Sequence, residues 1–182
     1  ASEMDLSWRK QLHNEIMQKY PFLRGVDVGV NDVERILAGD RKVNAFLIKT
    51  SAAYVAGEDI SDQLPSVKPG RDALVVRWGF RDEIQPDFFD GKNVSLSQKS
   101  RRTGKKILRG GMELVMEDEQ AFARDLYPCY EMFARHYPEK AAAMKRALTQ
   151  ALFSAESEAD FEEMRDDIGP WLADELEKKY PE

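Results

Sequence analysis

The chain has 182 residues, 33% of them charged and 42% hydrophobic, which is the composition of a globular protein rather than a disordered one. Its formal charge of −6 disfavours non-specific coating of nucleic acid or anionic lipid, so any such contact needs a local basic patch. Cys129 is the only cysteine, which rules out an intramolecular disulfide and a cysteine-based zinc centre.

The length suits one domain over residues 1–182 with a core large enough to need no covalent staple. Ala1 to Asp5 carry no apolar signal core, and an opening alanine leaves room for an upstream segment removed before Ala1. No apolar run approaches the ~20 residues that cross a bilayer. A cytoplasmic location with no membrane contact is the expectation.

In chain order, residues 5–20 read as an amphipathic helix, with Trp8, Leu12, Ile16 and Tyr20 four apart and Pro21 as the stop. Val26, Val28 and Val30 alternate with Asp27 and Gly29 as a short strand would. Asn31 and Glu34 resemble a capping box for a short helix ending at Gly39. Val43, Phe46, Leu47, Thr50 and Tyr54 share one helical face, with Asp40 as cap and Gly57 as stop; residues 43–50 alone also pass as a strand, but the pattern exceeds strand length and helix is preferred. Residues 57–72, rich in proline, glycine and acids, read as a surface loop.

A change of period follows. Leu74, Val76, Trp78 and Phe80 alternate with Val75, Arg77 and Gly79, and Val94 and Leu96 alternate with Ser95 and Ser97. Residues 105–109 and 112–116 flank Gly110-Gly111 as a hairpin would. The expected fold is therefore α+β. Residues 1–56 are mostly helical, 73–117 form a small antiparallel β-meander of three or four strands, and 118–182 form a helical layer. In that layer Phe122, Leu126, Tyr130, Phe133 and Tyr137 make a core stripe, with Pro128 expected to kink or split it. Pro138 opens another helix, and Ser157 caps a last one interrupted near Gly169-Pro170.

One charge feature stands out. Lys99, Arg101, Arg102, Lys105, Lys106 and Arg109 occur with no acid between them, whereas residues 155–182 hold eleven acids against three bases. On the strand reading, residues 99–109 form a basic hairpin tip, with Arg77 and Arg81 near enough to join it. Clustered like charges repel unless an anion faces them, and arginine forks suit phosphate or carboxylate oxygens. Such a hairpin also serves to blunt a sheet edge, or to dock on the acidic C-terminal helix of the same chain.

Catalytic signatures are weak. His13 and His136 are the only histidines, and Cys129 lies too far from His136 along a helix for an activated thiolate. Asp87 and Asp90 flank Phe88-Phe89 and are the carboxylates considered for base or magnesium chemistry, though Asp90-Gly91 is ordinary turn chemistry. No phosphate-binding glycine loop or paired-histidine motif occurs. These features point to a non-enzymatic interaction or regulatory protein using a basic β-hairpin (99–109) to dock an anionic partner. That partner is an acidic protein or a phosphate-bearing ligand, nucleic acid being disfavoured for want of interleaved aromatics. No cofactor and no metal are expected. The alternative is a small enzyme acting on a phosphorylated or carboxylated metabolite, with Arg77, Arg101 and Arg102 holding the anion and Asp87 or Asp90 as base.

Overall fold

A computed structural model describes residues 7–23 and 26–181. Ordered by chain, the helices are α1 (Trp8–Lys19), α2 (Val33–Leu37), α3 (Lys42–Ser51), α4 (Phe80–Glu83), α5 (Leu96–Glu119), α6 (Leu126–His136), α7 (Ala141–Phe153) and α8 (Glu158–Lys179). Helix accounts for 66% of the structure, and no strand occurs among the described residues. The fold is all-helical, and the expected α+β arrangement is wrong.

The error lies at 73–117. Ser95 is a helix cap rather than a strand residue. Its hydroxyl accepts the Gln98 N–H at 3.3 Å while the Gln98 side chain accepts the Ser95 N–H at 2.9 Å, a reciprocal capping box. From there α5 runs unbroken for 24 residues through both presumed strands and the presumed hairpin turn. Gly110 and Gly111 do not reverse the chain. They let other side chains approach: a Cβ on Gly111 would lie 2.6 Å from Met144 Cε and 2.9 Å from Phe133 Cδ2. Gly104 meets α7 more tightly still, where a Cβ would lie 2.6 Å from the Ala147 carbonyl oxygen and 3.0 Å from the Ala151 nitrogen.

Helix α5 is the axis of the fold. It packs most extensively on α7 and then on α6 and α8. Ile107, Leu108, Met112, Leu114, Val115 and Met116 are fully buried against Phe133, Met144, Ala147, Met164, Ile168 and Leu172. Of the expected C-terminal apolar stripe, Leu126, Tyr130 and Phe133 lie on α6 and Tyr137 caps it, with Phe133 and Tyr137 stacked and Trp171 edge-on to both, whereas Phe122 lies in the turn between α5 and α6 rather than on a helix. Pro128 neither kinks nor splits α6, because it sits in the first turn, where a missing N–H costs nothing. Likewise α8 continues through Gly169-Pro170. Burial of Ile168, Leu172 and Leu176 on either side outweighs the lost hydrogen bond.

Residues 74–80 form no strand either. They cross the bundle as turns and lead into α4. Their backbone donors go to a side chain instead of a neighbouring strand, as described below. At the N-terminal end, α1, α2 and α3 fall close to their expected places, although α3 stops at Ser51, short of Gly57. Asp32 rather than Asn31 caps α2. Residues 5 and 6, where the first helix was expected to open, lie outside the described residues. Val26 to Val30 form no strand; instead Val28 and Val26 offer carbonyl oxygens to Arg9 and His13 of α1 at 2.6 and 2.7 Å. No described helix is long and apolar enough to cross a membrane.

Candidate functional site

Because residues 96–119 are helical, the basic run becomes a stripe rather than a hairpin tip. Positions 98, 101, 102, 105, 106, 109 and 113 fall on one face of α5, following the i+3 and i+4 steps of a helix. That face forms the floor of a trough with a cavity volume of about 570 Å³. No basic β-hairpin exists to dock a partner, and that expectation is withdrawn.

Two walls complete the trough. One is Val75 and Val76, pinned to α5 by Glu113. The Glu113 Oε1 atom accepts the N–H groups of Val75 and Val76 at 2.7 and 2.6 Å, and Oε2 accepts that of Arg77 at 2.8 Å. Glu113 is 1% exposed. Burial pushes its pKa up, and the three N–H donors pull it back. All three contacts are donated to the carboxylate, so an ionised group satisfies them without a proton of its own. The second wall is Phe122, Ala123 and Arg124. Helix α5 ends at Gln120 in the left-handed region (φ 49°), with the Ala121 N–H reaching back to the Met116 carbonyl at 3.2 Å. This Schellman-type stop reverses the chain and folds residues 122–124 against the trough.

Six cationic side chains line the cavity against two carboxylates, Glu83 and Glu113. Their environments differ. Glu83 of α4 closes one end, accepting from Lys106 at 2.9 Å and from Arg102 at 3.3 Å. Arg101, Lys105, Arg109 and Arg124 have no hydrogen-bond acceptor or ion-pair partner among the described residues. The Nε atoms of Arg101 and Arg109 are covered by protein and find no acceptor. Burial, followed by repulsion from Arg124, lowers the pKa of Arg109.

No family model matches this chain, and no curated protein or solved structure matches it.

The other expected site residues are placed elsewhere. Arg77 is 7% exposed; its Nε donates to the Tyr180 carbonyl at 3.3 Å, and its guanidinium lies 5.1 Å from the Trp78 ring centroid. Arg81 makes a two-pronged contact with Glu177 at 2.6 and 2.8 Å and a third bond to Asp174 at 2.6 Å. Those bonds raise the Arg81 pKa and hold the Glu177 carboxyl below its usual range. Lys99 pairs with Glu158 and lies over Phe161. All three serve the fold, two of them by docking on the acidic last helix. Asp87, in the 3-10 turn Pro86–Phe89, and Asp90, just after it, are exposed and do not line the trough, so the expected partnership of Arg77, Arg101 and Arg102 with an aspartate base does not form.

Several trough residues carried little signal in the sequence. Glu113 was legible only as a lone acid inside the apolar run 110–116. Phe122 and Arg124 reach the site through the turn after α5, which periodicity does not disclose. Cys129 is a buried filler, its thiol donating to the Ala123 carbonyl at 3.4 Å and its pKa pushed up to about 11, chiefly by burial. His136 pairs with Glu119 at 2.9 Å, away from the trough. Among the described residues, no group of three or more His, Cys, Asp or Glu is placed to hold a metal ion.

Proposed function

We propose that this chain is a helical binding module whose trough takes a small phosphate-bearing organic molecule. One observation carries the reading. Arg101, Lys105, Arg109 and Arg124 converge on one concavity and none of them is in ion-pair contact with a carboxylate among the described residues, while Lys99, Arg81, Arg102 and Lys106 are each paired with one. On a chain of net charge −6, gathering unbalanced cations costs self-repulsion that a bound anion relieves. Arginine forks match phosphate oxygens, and Val75, Val76 and Phe122 offer an apolar surface for the body of such a ligand. The volume of about 570 Å³ lies within the range typical of small-molecule sites. Concavity favours this ligand over the flat face of an acidic protein. A cytoplasmic location goes with this reading, a single cysteine kept as a buried thiol being compatible with a reducing compartment.

Phenyl phosphate supplies both halves of the expected ligand. At about 100 times its Kd it should stabilise the fold by about 2.7 kcal/mol. For a chain of this size that corresponds to a rise in Tm of about 5–11 °C. Phenol should give no rise, and Arg109→Gln with Arg124→Gln should remove it. The reading fails if phenyl phosphate leaves Tm unchanged, or shifts the doubly substituted protein equally.

A further inference from the structure

The basic residues on the floor of the trough are not one pool of charge. Arg102 and Lys106, one turn apart, share the Glu83 carboxylate. Arg101, Lys105 and Arg109 form a separate row at i, i+4 and i+8, climbing α5 by about 6 Å per step and about 12 Å from first to last. Arg124 extends the row at the Arg109 end, close enough for the two charges to repel. A single phosphate reaches at most two neighbouring rungs, as Glu83 does with Arg102 and Lys106, and leaves the far end of the row without a counter-anion. A chain of linked phosphates meets each rung in turn.

We infer that the trough accepts an extended oligophosphate laid along the Arg101–Lys105–Arg109 row, with Glu83 keeping Arg102 and Lys106 out of the contact. This rests on the anion-binding reading and narrows the anionic part of that ligand from a single phosphate to a linear chain of them. Glu83 then acts as a built-in counter-anion that sets how much of the basic face a ligand reaches.

Titration calorimetry on the whole chain with orthophosphate, pyrophosphate, tripolyphosphate and the compact tricarboxylate citrate tests the inference. Tripolyphosphate should bind at least about tenfold tighter than orthophosphate or citrate. Arg101→Gln and Arg109→Gln should each weaken it about tenfold to a hundredfold, the loss of one charge-assisted contact. Arg102→Gln should weaken it at most about threefold, and Glu83→Gln should tighten it about two- to fivefold by releasing two cations. Because Glu83→Gln gains affinity, its effect is distinct from a damaged fold, and far-UV circular dichroism checks the arginine variants. Orthophosphate binding as tightly as tripolyphosphate, or citrate matching it, overturns the extended chain and leaves the anion site standing. Equal losses from Arg102→Gln and Arg101→Gln overturn the partition by Glu83. No binding of any phosphate overturns both the inference and the reading beneath it.

Discussion

Replacing Glu113 by glutamine tests the contact on which the trough wall depends. The carboxylate takes three buried backbone donors, two on Oε1 and one on Oε2, at 2.6 to 2.8 Å. A glutamine carbonyl retains the pair from Val75 and Val76, but its amide then faces the Arg77 N–H, donor against donor. One orphaned buried N–H costs about 1–3 kcal/mol. The two surviving bonds weaken by roughly half on losing the charge. Relief of the buried charge offsets part of this, leaving a net loss of about 2 kcal/mol and a fall in Tm of about 4–8 °C. Glu113→Ala orphans all three donors and should lose about twice as much. Urea unfolding followed by far-UV circular dichroism measures the loss, and hydrogen exchange of the amides at 75–77 localises it. The sign with pH is also fixed. A carboxyl whose pKa is raised in the fold favours the folded state below its unfolded value of about 4.3, and that contribution fades as pH rises through the folded value. Glu113→Gln should remove this component. If the glutamine variant proves as stable as the parent, with amide exchange unchanged, the side chain carries a proton in the native state and the three-donor account is wrong.

Four further outcomes are expected of the glycine contacts and of Cys129. Gly104→Ala should destabilise by about 1–3 kcal/mol despite alanine's better helix propensity, because the new methyl meets α7 backbone at 2.6 and 3.0 Å. Gly111→Ala meets the flexible end of Met144 at 2.6 Å as well as the Phe133 ring at 2.9 Å, so Gly111→Ala with Met144→Ala should relieve the first clash and cost less than the sum of the single changes, and strict additivity in urea unfolding would contradict the packing described. Cys129, with its pKa pushed up to about 11, should resist iodoacetamide at pH 8 in the folded chain and react quickly once unfolded. As pH rises from about 8.5 towards the folded value, the unfolded chain releases this proton first, so stability should decline across that window. Rapid alkylation of the native protein at pH 8 would refute the burial argument.

Most helices outside residues 73–117 were legible because they carry local information, although the break between α5 and α6 at residues 120–125 was not. Trp8 to Ile16 repeats at helical steps, Pro138 precedes α7, and the Ser157 hydroxyl accepts the Asp160 N–H at 3.1 Å as a cap should. Residues 73–117 misled for a physical reason. Alternation at 74–80 and 94–97 is short enough to arise without a strand, and a Gly-Gly pair serves a tight turn or a close helix contact equally well. Two signals were nevertheless present: the Ser95–Gln98 capping box, and the recurrence of Gly104, Ile107, Leu108, Gly111, Met112 and Val115 on one helical face. The basic residues were identified correctly and assigned to the wrong element. Arg101, Lys105 and Arg109 share the trough because four-residue spacing stacks them on a helix, whereas Arg77 and Arg81 are claimed by the Tyr180 carbonyl and the acids of α8.

By itself the sequence determined the charge inventory, the absence of an intramolecular disulfide and most helix starts, since caps, prolines and apolar periods act within a few residues of one another. Tertiary structure decided which cations remain unbalanced. Whether a lysine or arginine meets a carboxylate depends on distant elements: Glu83 reaches Lys106 across 23 positions, Glu177 reaches Arg81 across 96, and Glu113 ties down Val75 across 38. Charge pairing falls off over ångströms in space, not residues along the chain, so only the folded backbone could separate the half of the basic run that meets a carboxylate from the half that does not.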